Sequence, residues 1–395
     1  MRPLGTAKVS AFGIARRPYG AGAQRARRLL VKRDYQFVDI NAAGPGMVAA
    51  AFDNQVAYCS AANAPVTARI VAALRDVIAG EQEGTLLDRI RNWSGAPLAD
   101  ALPLRIAGGI HALHLQGIEP SLAPIYGNLP GVDDTGLIGA AIAAHEDQLL
   151  PWLDGPPQTN EAGRSSNFIA AMLWLADKRL PQRFDCLEIG SSAGINLMLD
   201  RYHYDLGTVA VGPVPGAMQL KPEWRGPAPP CHPIAIASAR GCDVAPVDLA
   251  DPAQALRLKA YIWPEHLERF ARMEVAIAEA SRKAPDLVPM NAADFIEAEL
   301  AKPQAAGTTR MLMHSIVWQY VPAEQQARVT AAMELAGARA TSDRALAWVS
   351  LEANRVTHVH EMQVRYWPGG VEPRLVTTAH PHGAWIAWSA GDARP

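Results

Sequence analysis

Cys186-Leu187-Glu188-Ile189-Gly190-Ser191-Ser192-Ala193-Gly194-Ile195-Asn196-Leu197 is the stretch that decides the fold. Apolar residues lead in, Glu188 interrupts them, and Gly190 and Gly194 sit four apart. An apolar, helix-like segment follows over residues 195–202. The pattern predicts a short buried strand, a glycine turn and the first turn of a helix. Glycines at such a turn let the backbone come close to a ligand, and the helix start aims free N–H groups and a positive dipole end at it. A dinucleotide fingerprint, G-x-G-x-x-G, fails here because Ser192 holds the second glycine position. A phosphate loop fails because no lysine follows Gly194. What fits is acidic-x-Gly-x-Ser-x-Gly, formed by Glu188, Gly190, Ser192 and Gly194.

This motif resembles the first motif of class I S-adenosylmethionine-dependent methyltransferases. The resemblance implies a glycine loop passing under the methionine part of the cofactor, with the acid at the strand end helping to hold its amino group. The plain alternative is the buried strand–turn–helix of any α/β protein.

The whole chain sets wider bounds. Its 395 residues suggest two domains, or one large α/β domain with an appendage. Apolar content of 49% and charged content of 19% suit a globular enzyme. A formal net charge of −2 argues against a nucleic-acid partner, which favours a basic face. Cys59, Cys186, Cys231 and Cys242 show no C-x-x-C spacing, so neither a disulfide framework nor a zinc site is implied, and a reducing, cytoplasmic setting is expected. No run of 18 apolar residues exists, so no membrane partner is expected. Charge is uneven: residues 1–46 hold nine Lys or Arg against two acids, a balance of +7 that leaves −9 for the remainder. That segment lacks the apolar stretch of a secretory signal. It is expected to be a poorly ordered basic extension, with a short element over residues 30–40 as an option.

Residues 47–180 carry helical periodicity throughout and predict an all-helical domain. Val66, Ile70, Leu74, Val77 and Ile78 mark one face, with Pro65 at a first-turn position and Gly80 just past the end. Further helices are expected over residues 86–93, 104–115, 135–152 and 165–180. Residues 158–166, Gln-Thr-Asn-Glu-Ala-Gly-Arg-Ser-Ser, form a polar island between apolar helices. Asn160 there is a candidate for binding an acceptor, and Glu161 and Arg164 are candidate catalytic groups that help place it; a solvated loop capped by Thr159 or Ser165 is the alternative.

After the glycine turn, residues 204–233 are rich in Gly and Pro and read as an insertion, with a small hairpin expected over 209–211 and 217–220. Strands are then expected over 234–239, 287–290, 310–317, 345–351, 362–367, 374–379 and 384–388, with helices over 252–281 and 322–335. Strand–helix alternation predicts a doubly wound, mostly parallel sheet with helices on both faces. Closing in an antiparallel hairpin, it matches a seven-stranded Rossmann-like, class I methyltransferase-like sheet over residues 181–395.

Ligands of such a sheet lie at the carboxyl ends of its strands. Asp243 follows the second strand and is the first choice for pairing ribose hydroxyls, with Asp205 second. Asp294 follows the third strand in Ala-Ala-Asp-Phe, where the methyltransferase resemblance implies an acid accepting the adenine amino group beside an apolar neighbour, here Phe295. His314 ends the fourth strand, where the methyl would meet its acceptor, and a histidine suits proton removal from a hydroxyl or amine. Trp318 is a candidate for the acceptor pocket. The Asn/Asp-Pro-Pro-aromatic pattern of amino-group DNA methyltransferases is absent. His358-x-His360 and His380-Pro381-His382 resemble halves of a metal site, but no further ligand can be identified, so no metal is expected.

Gln-Thr-Asn-Glu-x-Gly-Arg-Ser at 158–165, Leu-Glu-Ile-Gly-x-Ser-Ala-Gly-x-Asn-Leu at 187–197, Asp-Arg-Tyr at 200–202, Glu-Trp-Arg-Gly at 223–226, Ile-Trp-Pro at 262–264 and His-Pro-His-Gly at 380–383 together resemble a bacterial family, domain of unknown function 2332. The resemblance spans about residues 50–390. It implies a methyltransferase-like core behind a helical N-terminal domain, and it makes Arg201, Arg225 and Trp263 candidates for the cleft. The expected function is S-adenosylmethionine-dependent methyl transfer to a small-molecule acceptor; the alternative is a non-catalytic, methyltransferase-like binding or regulatory protein.

Overall fold

A computed structural model describes residues 41–44, 46–357 and 359–389. The basic segment up to residue 40, with its optional element over 30–40, and His358 lie outside the described residues.

Before the first strand the described chain is helical. The helices are α1 (Met47–Ala61), α2 (Pro65–Ala79), α3 (Thr85–Arg91), α4 (Leu102–Leu115), α5 (Ala123–Tyr126), α6 (Asp134–Ala144), α7 (Glu146–Leu149) and α8 (Ser165–Asp177). Residues of α1 to α7 bury a core of their own, with Phe52, Leu74, Leu86, Ile106, Ile110 and Ile138 fully enclosed. The helix expected over 135–152 breaks at His145 into α6 and α7. In α8, residues 165–176 are all buried, so it shows no polar face. That is the pattern of a helix covered on all sides.

The strands follow: β1 (Arg183–Ile189), β2 (His203–Leu206), β3 (Val209–Val211), β4 (Gln219–Leu220), β5 (Glu223–Arg225), β6 (Ala235–Asp243), β7 (Asp286–Pro289), β8 (Thr308–Ser315), β9 (Arg344–Ala353), β10 (His360–Trp367), β11 (Gly370–Ala379) and β12 (Trp385–Trp388). Helices α9 (Pro252–Ala260), α10 (Leu267–Arg282), α11 (Ala292–Ala301) and α12 (Ala323–Gly337) alternate with them.

The main sheet runs β5-β12-β11-β10-β9-β8-β1-β6-β7. Its β7, β6, β1, β8 and β9 are mutually parallel. All eight residues of β8 are buried, as a central parallel strand requires. The two-residue period sorts the layers. Met311 and Met313 join the core shared with α8 and α10, whereas Leu312 joins Leu187 and Ile189 against α11 and α12.

The sheet has nine strands, not the seven expected. Two features explain the difference. No crossover helix follows β9, so β10, β11 and β12 return as an antiparallel meander. The insertion after the glycine turn also sends β5 to the far edge, where it pairs parallel with β12. The hairpin expected within that insertion is different too: β3 and β4 each pair with β2, on opposite sides, in a separate small sheet.

The helix expected over 252–281 is two. Pro264 disfavours helix at Trp263, and residues 261–266 turn back onto the N-terminal helices. Trp263 packs beside Cys59, Ala64 and Ala68. Glu265 accepts from Thr67 N (2.9 Å) and Thr67 Oγ1 (2.7 Å), supplying α2 with the cap that Ala64 cannot.

The chain winds outward from β1 through β6 to β7, then returns to β8 on the other flank of β1. That reversal makes the carboxyl ends of β1, β6 and β8 a topological switch point, where ligands of open α/β sheets bind.

Candidate functional site

The glycine turn lies at this switch point. Gly190, Ser192 and Gly194 all hold positive φ (66°, 53° and 69°), and the serine does so at a cost a glycine would not incur. Three hydrogen bonds fix it there, one of them from Val247 N to the Ser192 carbonyl (3.0 Å). Ser192 N–H donates to Asp243 Oδ2 (2.8 Å) at the end of β6, and Ser192 Oγ donates to Gln158 Oε1 (3.2 Å). A short 3-10 helix, Ile195–Arg201, follows, and its first N–H, at Ile195, donates to Asn160 Oδ1 (3.0 Å). The polar loop therefore reaches the turn through Gln158 and Asn160.

Glu188 is 2% exposed at the end of β1. Its Oε1 accepts from Asn196 Nδ2 (3.1 Å), but Oε2 and the facing amide's Oδ1 have no partner. Burial lifts its carboxyl pKa to about 7, against the opposing pull of Asn196, Ser191 and Arg164. Protonated, Oε2 would become a donor beside an acceptor that lacks one.

Glu161, expected as a catalytic group, is spent on positioning. Its Oε2 accepts from Arg269 Nε (2.8 Å), and its Oε1 from Arg272 Nε (2.9 Å) and Gly163 N (3.2 Å). Arg164 donates Nε to the Pro381 carbonyl (2.8 Å). Burial is the main cause lowering the Arg164 pKa, to about 10. The His-Pro-His-Gly turn thus lies directly against the polar loop. Gly383, at φ 74°, packs on the Gly163 backbone so closely that a side chain on either would collide with the other turn. Arg269 and Arg272 were not legible as site residues. They interrupt the apolar positions of α10, where apolar Leu267 is exposed while Arg269 is buried.

His314 is 1% exposed at the end of β8. Trp348 Nε1–H donates to its Nε2 (3.0 Å). An indole can only donate, so Nε2 is the bare nitrogen and Nδ1 carries the proton, donated to Glu352 Oε1 (2.8 Å). Both ring nitrogens are therefore consumed internally, and the general-base role expected of His314 has no free nitrogen to act through. Glu352 Oε1 also accepts from Val317 N and Trp318 N (both 3.2 Å). Burial alone would raise the Glu352 pKa, but these bonds bring it below the ordinary value. Trp318 stacks on His314 (5.1 Å between centroids, 23°). With Trp348, Glu352 and Glu361 it lines a cavity of about 310 Å³.

Other expected residues lie elsewhere. Asp294, in the first turn of α11, is half exposed and paired with Arg328 of α12 (2.7 Å), which ties it to the helical surface. Phe295 is buried in the layer between the sheet, α11 and α12 and forms no wall of a cleft. Asp205 accepts from Gln219 Nε2 (2.7 Å) in the small sheet. Arg201 donates to the carbonyls of Glu279 and Lys283, and Arg225 pairs with Glu223 at the sheet edge. Among the described residues, no group of three or more His, Cys, Asp or Glu side chains is placed to hold a metal. Nor is any described helix long and apolar enough to cross a membrane.

Residues 49–388 match the family model described as "Uncharacterized protein conserved in bacteria (DUF2332)", and the chain belongs to that family. No curated protein and no solved structure matches it.

Proposed function

We propose that the chain transfers a methyl group from S-adenosylmethionine to a small-molecule acceptor in the cytoplasm. The observation that carries this reading is the unpartnered Glu188 Oε2, buried under a glycine turn at the switch point of the parallel sheet. A buried carboxylate oxygen without a donor calls for a cation or an N–H from a ligand, and the cofactor's α-ammonium supplies one. Asp243, on the neighbouring strand end, accepts from Ser192 N and Ala245 N and is suited to the ribose hydroxyls. The residues fit the amino-acid and ribose parts of the cofactor. Asp294 and Phe295 do not fit its adenine. When bound, the cofactor supplies an electrophilic methyl; the contribution of the chain is to hold both partners in place and exclude water.

Calorimetric titration of the full-length protein with S-adenosylhomocysteine, and separately with NAD, tests this. Micromolar binding of the first and none of the second is expected. Folded, cofactor-free protein that binds no S-adenosylhomocysteine would remove the methyltransferase assignment. The spent nitrogens of His314 favour one second reading, a non-catalytic binding protein. It predicts cofactor binding with no transfer to any acceptor in a radiolabelled-methyl screen.

A further inference from the structure

The polar loop, α10 and the His-Pro-His-Gly turn bring together more cationic and donor capacity than the protein itself uses. Arg164 and Arg269 are 4% and 8% exposed. Each makes one hydrogen bond, through Nε, to Pro381 O and Glu161 Oε2 respectively. Their Nη nitrogens meet no acceptor among the described residues. None of these Nη nitrogens is among the fully enclosed unpartnered side-chain atoms, so they are open to an acceptor from outside the protein.

Carboxylates lie within electrostatic range of Arg164, but none accepts from it. Glu161, the nearest in effect, gives its bonds to Arg269, Arg272 and Gly163. Glu352 is engaged by His314 and two backbone N–H groups, and Glu188 by Asn196. Glu161 therefore orients Arg269 and Arg272 by their Nε atoms; Arg272 Nη2 donates to the His382 carbonyl (3.4 Å), whereas the Nη ends of Arg269 stay free.

Four imidazoles, of His266, His360, His380 and His382, lie within electrostatic range of these arginines. His266 and His382 stand 6.4 Å apart, and His380 and His382 5.4 Å, between ring centroids. Burial, then the arginine charges, depresses the pKa of His266 and His382, and burial with neighbouring cations does the same for His360 and His380, so all four are neutral at pH 7. His380 Nδ1 accepts from His382 N (3.1 Å), which leaves the proton of its neutral ring on Nε2 as a donor. No other ring nitrogen of the four has a hydrogen-bond partner among the described residues.

We propose that Arg164, Arg269 and the His380-Pro381-His382 turn form a binding site for an oxyanion, a carboxylate or phosphate group of a small molecule. Guanidinium forks match such groups bidentately, and neutral imidazole N–H groups add donors without adding charge. The site adjoins the glycine turn, because the loop that carries Arg164 also bonds Ser192 and Ile195 through Gln158 and Asn160. The bound group is then either the cofactor's carboxylate or an acidic group on the acceptor. Only that last identification rests on the methyl-transfer reading; the binding itself does not.

The test is titration of full-length protein, labelled with ¹³C in its histidine rings, with inorganic phosphate at constant ionic strength set by chloride. Saturable shifts of the His380 and His382 signals are expected, with affinity falling at least about tenfold in Arg164→Gln and in Arg269→Gln, the equivalent of one charged hydrogen bond. Arg164→Lys keeps the charge without the fork and is expected to be intermediate. Arg328→Gln, on the distant α11–α12 surface, is expected to bind as the parent does. Repeating the titration with saturating S-adenosylhomocysteine separates the sources: displacement identifies the cofactor's carboxylate, and undiminished binding identifies a separate anionic ligand. The proposal is overturned if folded wild-type protein responds to phosphate no more than to chloride, or if folded Arg164→Gln and Arg269→Gln variants bind it as Arg328→Gln does.

Discussion

Replacing Glu188 with glutamine keeps the shape of the side chain and removes its titration. The buried carboxyl titrates near 7 rather than at the ordinary 4.5. Its folded-state pKa is the higher one, so between those values the native chain holds a proton that the unfolded chain has released. Stability contributed by this group is present below about pH 4.5, falls as pH rises and is fully lost above about 7. Each tenfold difference in proton affinity is worth about 1.4 kcal/mol, so the whole fall amounts to roughly 3 kcal/mol. Glu188→Gln places a neutral N–H donor where the protonated Oε2 would be, beside the unpartnered Asn196 Oδ1. Urea unfolding of both proteins at pH 5 and pH 8 measures the effect. The variant is expected to gain on the parent by roughly 2–3 kcal/mol at pH 8 and by little at pH 5. Equal pH slopes for the two proteins would mean that burial does not raise the Glu188 carboxyl, and would refute the reading of this group as one whose ionised form the free protein leaves under-compensated. S-adenosylhomocysteine, if its ammonium meets this carboxylate, is expected to bind the parent at least about tenfold more tightly than the variant at pH 8.

Four further outcomes follow from the same geometry. His314→Ala leaves the Trp348 indole N–H without its acceptor and Glu352 without a donor; a loss of roughly 2–5 kcal/mol in urea unfolding is expected, and a loss under about 1 kcal/mol would show that the Trp348–His314–Glu352 chain is not structural. Gly190→Ala puts a Cβ into Val317 at a positive φ and is expected to cost roughly 2–5 kcal/mol, read from the same denaturation curves. Glu161→Gln strips buried Arg269 and half-buried Arg272 of their shared counter-ion, with an expected cost of roughly 3–5 kcal/mol; a stable variant would mean that solvent already compensates them. Asp294→Asn, at an exposed ion pair with Arg328, is expected to change stability by less than about 1 kcal/mol and S-adenosylhomocysteine affinity by less than about twofold in calorimetry.

How far the sequence reveals this molecule depends on whether a feature is written in local periodicity or in long-range packing. Strand–helix alternation from 183 to 353 and the glycine turn were legible because each rests on a few consecutive residues. So was α2, with Pro65 inside its start and Gly80 past its end. Strand β5 was not. Glu223–Arg225 is three residues long, and its pairing with β12 joins segments some 160 positions apart, which no local pattern encodes. Nor could the sequence tell which side of a strand end a polar residue would serve. Asp243 and Asp294 both follow parallel strands, yet one turns in to Ser192 N–H and the other is drawn out by Arg328. The Asn160-Glu161-Arg164 island was found because polarity between two apolar helices is locally visible. Its true partners, Arg269 and Arg272, were hidden because i, i+3 arginines on a helix ordinarily mark a solvated face. Here Glu161, buried where residues 158–164 pack against the Gly383 turn, holds both arginines of α10 toward itself. The site is thus specified by one buried carboxylate rather than by the amphipathic pattern of the helix that completes it. Changing Glu161 should therefore disturb Arg269 and Arg272 more than changing any apolar residue of α10 does.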